Sequence, residues 1–158
     1  FYYTFCVLKY KQLKEYMSLA TYKKIGLEYD IIDTISSGIE LFGYEVKSVK
    51  SGRCIVEGSK VILRGGEAFV VGMQIAVYQE KNTPKSYEVD RTRKLLLRKR
   101  DIAELYKITE NKAISLLVKS LYLKGSLIKC DVAICKKLNK FDKRNKIKER
   151  DLDTRADA

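Results

Sequence analysis

Two short glycine turns, each set between β-favouring runs, constrain this chain more than any other feature. Gly65-Gly66 separates residues 60–64 from 67–73, and Lys124-Gly125-Ser126 separates 114–123 from 127–134. Glycine reaches positive φ without strain, so both spacers predict tight antiparallel hairpins. In the second hairpin Ile128, Cys130, Val132 and Ile134 alternate with Lys129 and Asp131. That is the period-2 pattern of a strand with one face on a core and the other outward. Residues 27–34 and 39–42 read as two more strands parted by a turn at Ser36-Ser37-Gly38. Residues 45–52 read as a short helix closed by glycine, and 79–90 as a polar loop holding the only proline, Pro84. Thr92 is placed to N-cap a helix from Lys94 to Tyr106, with Leu95, Ile102, Leu105 and Tyr106 near one face. About six strands with few helices predict a mainly β fold. The expected form is a small antiparallel oligonucleotide-binding-like β-barrel with two or three peripheral helices. Pattern alone leaves a sandwich as the competitor.

The chain of 158 residues suits one domain and a tail. Residues 1–16 are rich in Tyr, Phe and Lys, and Met17 with Ser18 and Ala20 resembles an ordinary start. Residues 1–21 are therefore expected to be an N-terminal extension, partly non-native. Residues 22–135 are the expected barrel domain, and 136–158 a basic C-terminal tail. From Lys136 to Arg150 there are eight basic and two acidic residues. Lys140/Arg144 and Lys146/Arg150 are like-charged i,i+4 pairs that oppose a helix, whereas Asp142/Lys146 and Asp151/Arg155 favour one. The tail is expected to be disordered alone and to become helical where a polyanion neutralises its lysines.

Charge narrows the function. Lys plus Arg total 32 against 20 Asp plus Glu, a net +12. Such an excess favours a polyanionic partner. No run approaches the ~20 apolar residues of a membrane span, and no basic amphipathic helix stands out, so nucleic acid is preferred to a membrane. With no His, imidazole catalysis and His-ligated metals are excluded. Cys6, Cys54, Cys130 and Cys135 form no C-x₂-C pair, and read as structural thiols in a reducing cytoplasm. No cofactor or metal is expected.

Between Arg91 and Arg100 lie six cations in ten residues, with three leucines among them. This segment is either a phosphate-binding element or a helix with a solvated basic face. Lys129 is expected on the outward side of its strand. Tyr22, Tyr29, Tyr44, Tyr78, Tyr87 and Phe69 could stack on bases, though core packing fits most of them better. Phe141, a lone aromatic in a charged tail, is the better candidate for intermolecular stacking.

Three ordered blocks then resemble one family. Gly43-Tyr44-Glu45-Val46-Lys47-Ser48, Arg91-Thr92-Arg93-Lys94-Leu95-Leu96-Leu97 and Phe141-Asp142-Lys143-Arg144 with Ile147-Lys148-Glu149-Arg150 are similar to small protein B, the tmRNA-binding proteins of bacterial trans-translation. The likeness runs from about Tyr22 to Asp151. It implies a barrel that binds the tRNA-like domain of tmRNA through Lys23, Lys24, Glu45, Lys47, Arg91, Arg93, Lys94, Leu96 and Lys129. It implies a monomer that enters stalled 70S ribosomes with alanyl-tmRNA and elongation factor Tu. There the tail residues Lys136, Phe141, Asp142, Lys143, Arg144, Lys148 and Arg150 would reach the decoding centre, Phe141 by stacking. The chain departs from the family at Ser36, where relatives commonly carry an RNA-contacting Glu, and at Lys137-Leu138-Asn139, where they carry Gly-Lys-Lys.

The expected function is therefore a non-enzymatic, cytoplasmic RNA-binding adaptor for ribosome rescue. The alternatives are a structural ribosome-associated RNA-binding protein and a metal-dependent nuclease on a similar barrel. The nuclease would need clustered carboxylates, and acids here occur singly or along one helix surface (Asp90, Asp101, Glu104).

Overall fold

The computed structural model describes residues 16–156. Residues 1–15, including Cys6 and most of the expected extension, lie outside the described residues. Met17–Thr21, the last residues of the expected extension, form β1, paired with a later strand, β8 (Ile114–Lys124).

Both glycine hairpins form. Gly65 and Gly66, at φ 59° and 74°, join β4 (Lys60–Arg64) to β5 (Glu67–Val71). Gly125, at φ 63°, turns β8 into β9 (Leu127–Lys137). The remaining main-sheet strands are β2 (Tyr29–Ile39) and β7 (Arg93–Leu96). Strand order is β1-β8-β4-β5-β7-β2-β9, and β9 pairs again with β8. The sheet thus curls into a near-closed antiparallel ring. Its thinnest seams are the single Lys60–Leu117 pair between β4 and β8 and the two-residue contact between β2 and β7. A separate ribbon pairs β3 (Cys54–Ile55) with β6 (Gln74–Ile75). Val61, Val70, Leu95, Leu117, Leu121 and Val132 are among the side chains that fill the interior.

Two expected boundaries are corrected. The turn at Ser36-Ser37-Gly38 does not form; β2 runs straight through it. Neighbouring strands supply what the local signal lacked: β9 pairs with β2 up to Gly38, and β7 takes over at Gly38 and Ile39. Ser37 is buried and donates to the Cys130 carbonyl at 3.2 Å. The helix expected from Lys94 begins instead at Lys99. Arg93–Leu96 are strand β7, because Phe69 and Ala68 of β5 and Ile39 of β2 offer backbone partners on both sides. The helix that remains, α3 (Lys99–Thr109), buries Ile102 and Leu105.

Helices α1 (Ile25–Glu28) and α2 (Gly43–Lys50) sit outside the ring, and α2 is followed by Gly52 at φ 81°, as the glycine stop predicted. The tail is corrected as well. It is helical from Lys140 to Ala156, forming α4, with none of its residues buried. The opposed pairs explain this: Asp142/Lys146 and Asp151/Arg155 offset the like-charged pairs, and Asp142 lies in the positively polarised first turn. The start is also pinned. Leu138 N–H donates to the Glu28 carbonyl at 3.1 Å, and Lys146 pairs with Asp30 at 3.7 Å.

Candidate nucleic-acid interface

Gly38 organises the outward face of the ring. It pairs with Leu96 of β7 on one side and with Lys129 of β9 on the other, and Lys129 pairs in turn with Tyr122 of β8. Directly opposed residues project to the same face, so Leu96, Gly38, Lys129 and Tyr122 form one row across four strands. Glycine is needed in the middle. A Cβ at position 38 would lie 3.2 Å from the Leu96 Cβ. Its missing side chain leaves a notch between an exposed leucine (58% exposed) and a half-buried lysine. Lys94 lies on the same face two residues before Leu96 and pairs with Glu67. That carboxylate raises the Lys94 pKa, so the group remains cationic.

A second row lies beside the first. Ser36, Asp131 and Ser120 are opposed across β2, β9 and β8. Tyr122 and Ser36 share a hydroxyl–hydroxyl hydrogen bond at 2.5 Å. Asp131, expected on the outward face with Lys129, is only 8% exposed, with the Ser120 and Tyr122 hydroxyls beside its carboxylate.

The second block of basic residues does something different. Glu45 and Arg93, both expected at the RNA surface, are 0% exposed and tie α2 to β7 inside the molecule. Arg93 donates to Glu45 through Nε at 3.0 Å and Nη2 at 2.9 Å, and to the Met73 carbonyl at 2.7 Å. Arg91 donates to the same carboxylate through Nε at 2.9 Å and Nη2 at 2.5 Å. The Phe42 N–H adds a further bond at 2.9 Å. Burial alone would push the Glu45 pKa up; the hydrogen bonds from Arg91, Phe42 and Arg93 outweigh it and hold the group below the usual carboxylate range. Arg91 remains partly exposed and lies over the Phe42 ring at 4.1 Å. Lys47, one turn along α2, is exposed and lines a shallow groove with Tyr44 and Tyr78.

Lys94, Leu96 and Lys129 are therefore brought together, while Glu45, Arg91 and Arg93 form an internal tie. Lys23 and Lys24 are exposed just ahead of α1, outside the row. Of the aromatics, Tyr22 is in the core. Sequence reasoning missed Tyr122 and Gly38. Pairing the hairpin back from its glycine turn would have placed Tyr122 opposite Lys129; nothing local could place Gly38 between two strands so distant in sequence.

The SmpB family model, described as SmpB protein, matches residues 19–158. The chain belongs to the SmpB family. Its relatives include the SsrA-binding protein of Leptothrix cholodnii, 38% identical over 85% of this chain and 88% of that one. Another is the SsrA-binding protein of Chlorobium phaeovibrioides, 39% identical over 90% of this chain and 91% of that one. A solved chain from a structure described as "tmRNA-SmpB: a journey to the center of the bacterial ribosome" superposes with a TM-score of 0.64 at 26% identity. That match covers 80% of this chain and 92% of that chain.

In this SmpB chain the tail candidates are all borne on α4 or just before it. Phe141 is 73% exposed, and Asp142, Arg144, Lys148 and Arg150 are exposed with it, while Lys143 is half-buried. Lys136 is exposed at the end of β9. Among the described residues no three Asp, Glu or Cys side chains come together in a metal-binding group. Cys130 and Cys135 are buried, and burial pushes the half-buried Cys54 thiol up to about 11. No described helix is long and apolar enough to cross a membrane.

Proposed function

We propose that this chain is a non-enzymatic adaptor that binds the tRNA-like domain of tmRNA and delivers it to stalled 70S ribosomes for trans-translation. One observation carries the reading: in a chain of the SmpB family, the outward row Leu96–Gly38–Lys129–Tyr122, with Lys94 beside it, gathers apolar, cationic and aromatic groups around a notch. Such a surface suits a folded RNA. Lysines meet phosphates, and an exposed leucine and a tyrosine meet sugars and bases. The near-closed ring serves as an oligonucleotide-binding-like barrel. Lys23, Lys24 and Lys47 add further cationic contacts, and Arg91 offers its exposed edge.

The SsrA-binding relatives support the RNA partner, and the tmRNA–SmpB neighbour supports the ribosome. The protein acts as a cytoplasmic monomer and travels with elongation factor Tu in the alanyl-tmRNA complex. Helix α4 enters the empty mRNA path, where Phe141 stacks on a base and Lys143, Arg144, Lys148 and Arg150 meet ribosomal phosphates.

The test is recovery of the protein from cells with its bound RNA, followed by sequencing, on ribosomes stalled by a message without a stop codon and on idle ones. Enrichment of tmRNA, mainly on stalled ribosomes, is expected. Equal occupancy of idle ribosomes without tmRNA would overturn the reading in favour of a structural ribosomal protein.

A further inference from the structure

We infer that Asp131 is a specificity-determining residue of the RNA face, its carboxylate accepting a hydrogen bond from an O–H or N–H donor of an RNA nucleotide that enters between Ser36 and Tyr122. This rests on the reading of that face as an RNA interface and deepens it.

Asp131 is a carboxylate set on the outward side of a sheet in a chain of net charge +12. Lys129 and Lys94 lie on the same face, and Asp131 is directly opposed by Ser36 and Ser120. It is more than nine-tenths buried. Its hydrogen bond from Ser120 Oγ is long, at 3.4 Å. Ser36 and Tyr122 share one hydrogen bond, which uses one of their two hydroxyl hydrogens and leaves at most the other for Asp131. Among the described residues no Lys or Arg nitrogen comes within ion-pair distance of it. Burial pushes its pKa up, and Lys119, Ser120 and Tyr122 only partly oppose this.

A carboxylate offers about four acceptor positions, of which Ser120 and a Tyr122 hydroxyl leave room for a further donor. It also repels the phosphates that the lysines attract. A negative charge in that place therefore weakens RNA binding unless it meets a specific donor. RNA offers two kinds, the ribose 2′-hydroxyl and the N–H groups of base edges. The pair that screens Asp131, Ser36 with Tyr122, is exposed and joins two different strands, so an incoming nucleotide can part it without unpairing the sheet. The carboxylate stands on the residue that directly faces Ser36 across the β2–β9 pair.

The experiment titrates the full chain against a labelled transcript of the tmRNA tRNA-like domain and against a scrambled hairpin of equal length, at several salt concentrations. A bystander acid and a donor-reading acid differ in sign. If Asp131 only repels phosphates, Asp131→Asn tightens binding to both RNAs. If it reads a donor, Asp131→Asn weakens binding to the tRNA-like domain about tenfold, leaves the scrambled hairpin unchanged or tighter, and leaves the salt slope unchanged. Ser36→Glu in the Asp131→Asn background, which puts a carboxylate on the opposed residue about 5 Å away, should restore most of the loss. The urea midpoint of Asp131→Asn should stay level or rise, because a buried charge is removed; a marked fall would assign the residue a structural role and overturn the inference. A transcript with 2′-deoxy nucleotides separates the donors: a gap between wild type and variant that closes assigns the 2′-hydroxyl, and one that persists assigns a base N–H. Unchanged or tighter binding of the tRNA-like domain by Asp131→Asn, with wild type still preferring it, would overturn the inference alone. A wild type with no preference for the tRNA-like domain would overturn the functional reading beneath it.

Discussion

Replacing Glu45 by Gln tests the internal tie most directly. The variant keeps the shape of the side chain and removes its charge. Arg93 would then be left fully buried with no counter-ion, and Arg91 would lose its two bonds to a charged acceptor. Removing one partner of a buried pair costs about 3–5 kcal/mol, a large share of the ~5–15 kcal/mol that holds a domain together. At about 2–4 °C per kcal/mol for a chain of this size, Tm should fall by about 6–20 °C. Urea denaturation followed by circular dichroism measures it, and the slope m should not change. The double variant Glu45→Gln/Arg93→Met, which leaves no unpaired charge inside, should recover much of the loss.

The pH dependence has a definite sign. The folded-state pKa of Glu45 lies below its ordinary value, so its contribution is fully present above the unfolded pKa of about 4.3. It disappears as pH falls through the lower folded value. Wild-type stability should therefore drop more steeply below about pH 4.3 than that of Glu45→Gln. A single-variant cost under about 1 kcal/mol, or a double-variant cost equal to the sum of the singles, would refute the argument that these charges are coupled.

Three further outcomes follow from the outward face and the tail. Gly38→Ala should destabilise the ring by about 1 kcal/mol by pressing a methyl on Leu96, and Leu96→Ala, which removes the Cγ and Cδ1 contacts but keeps the one to Cβ, should relieve part of it; additive urea midpoints would show that Leu96 beyond its Cβ plays no part. Lys129→Ala should weaken binding to the tRNA-like domain and reduce the slope of log K against log salt by about 0.9, as read by filter binding; an unchanged slope would remove its phosphate contact. Phe141→Ala should cost about 1–3 kcal/mol of stacking on the stalled ribosome and leave solution affinity for tmRNA nearly unaltered; a large loss in solution would place the tail's role elsewhere.

Local chemistry alone determined the two hairpins, the helix closed by Gly52 and the exposed Phe141. Each rests on residues within about a dozen positions of one another, where glycine's freedom and the two-residue pleat decide the outcome. Charge counting likewise pointed to a polyanion, because Coulombic excess needs no fold. The family was legible because three short blocks carry it in order.

What only the tertiary structure decided involves pairing across long sequence distances. Ser36-Ser37-Gly38 carries turn chemistry, yet two neighbouring strands draw it into β2. Arg93 and Lys94 are both basic residues of one block, but strand alternation within a curled sheet sends the first to a buried carboxylate 48 residues away and the second to the surface. The same closure brings Leu96, Gly38, Lys129 and Tyr122 into line, and leaves Asp131 opposite Ser36 under the cover of Tyr122. Composition reports how much charge a chain carries. Where each charge goes depends on which backbone hydrogen bonds the ring satisfies, and those partners are known only once the strands have met.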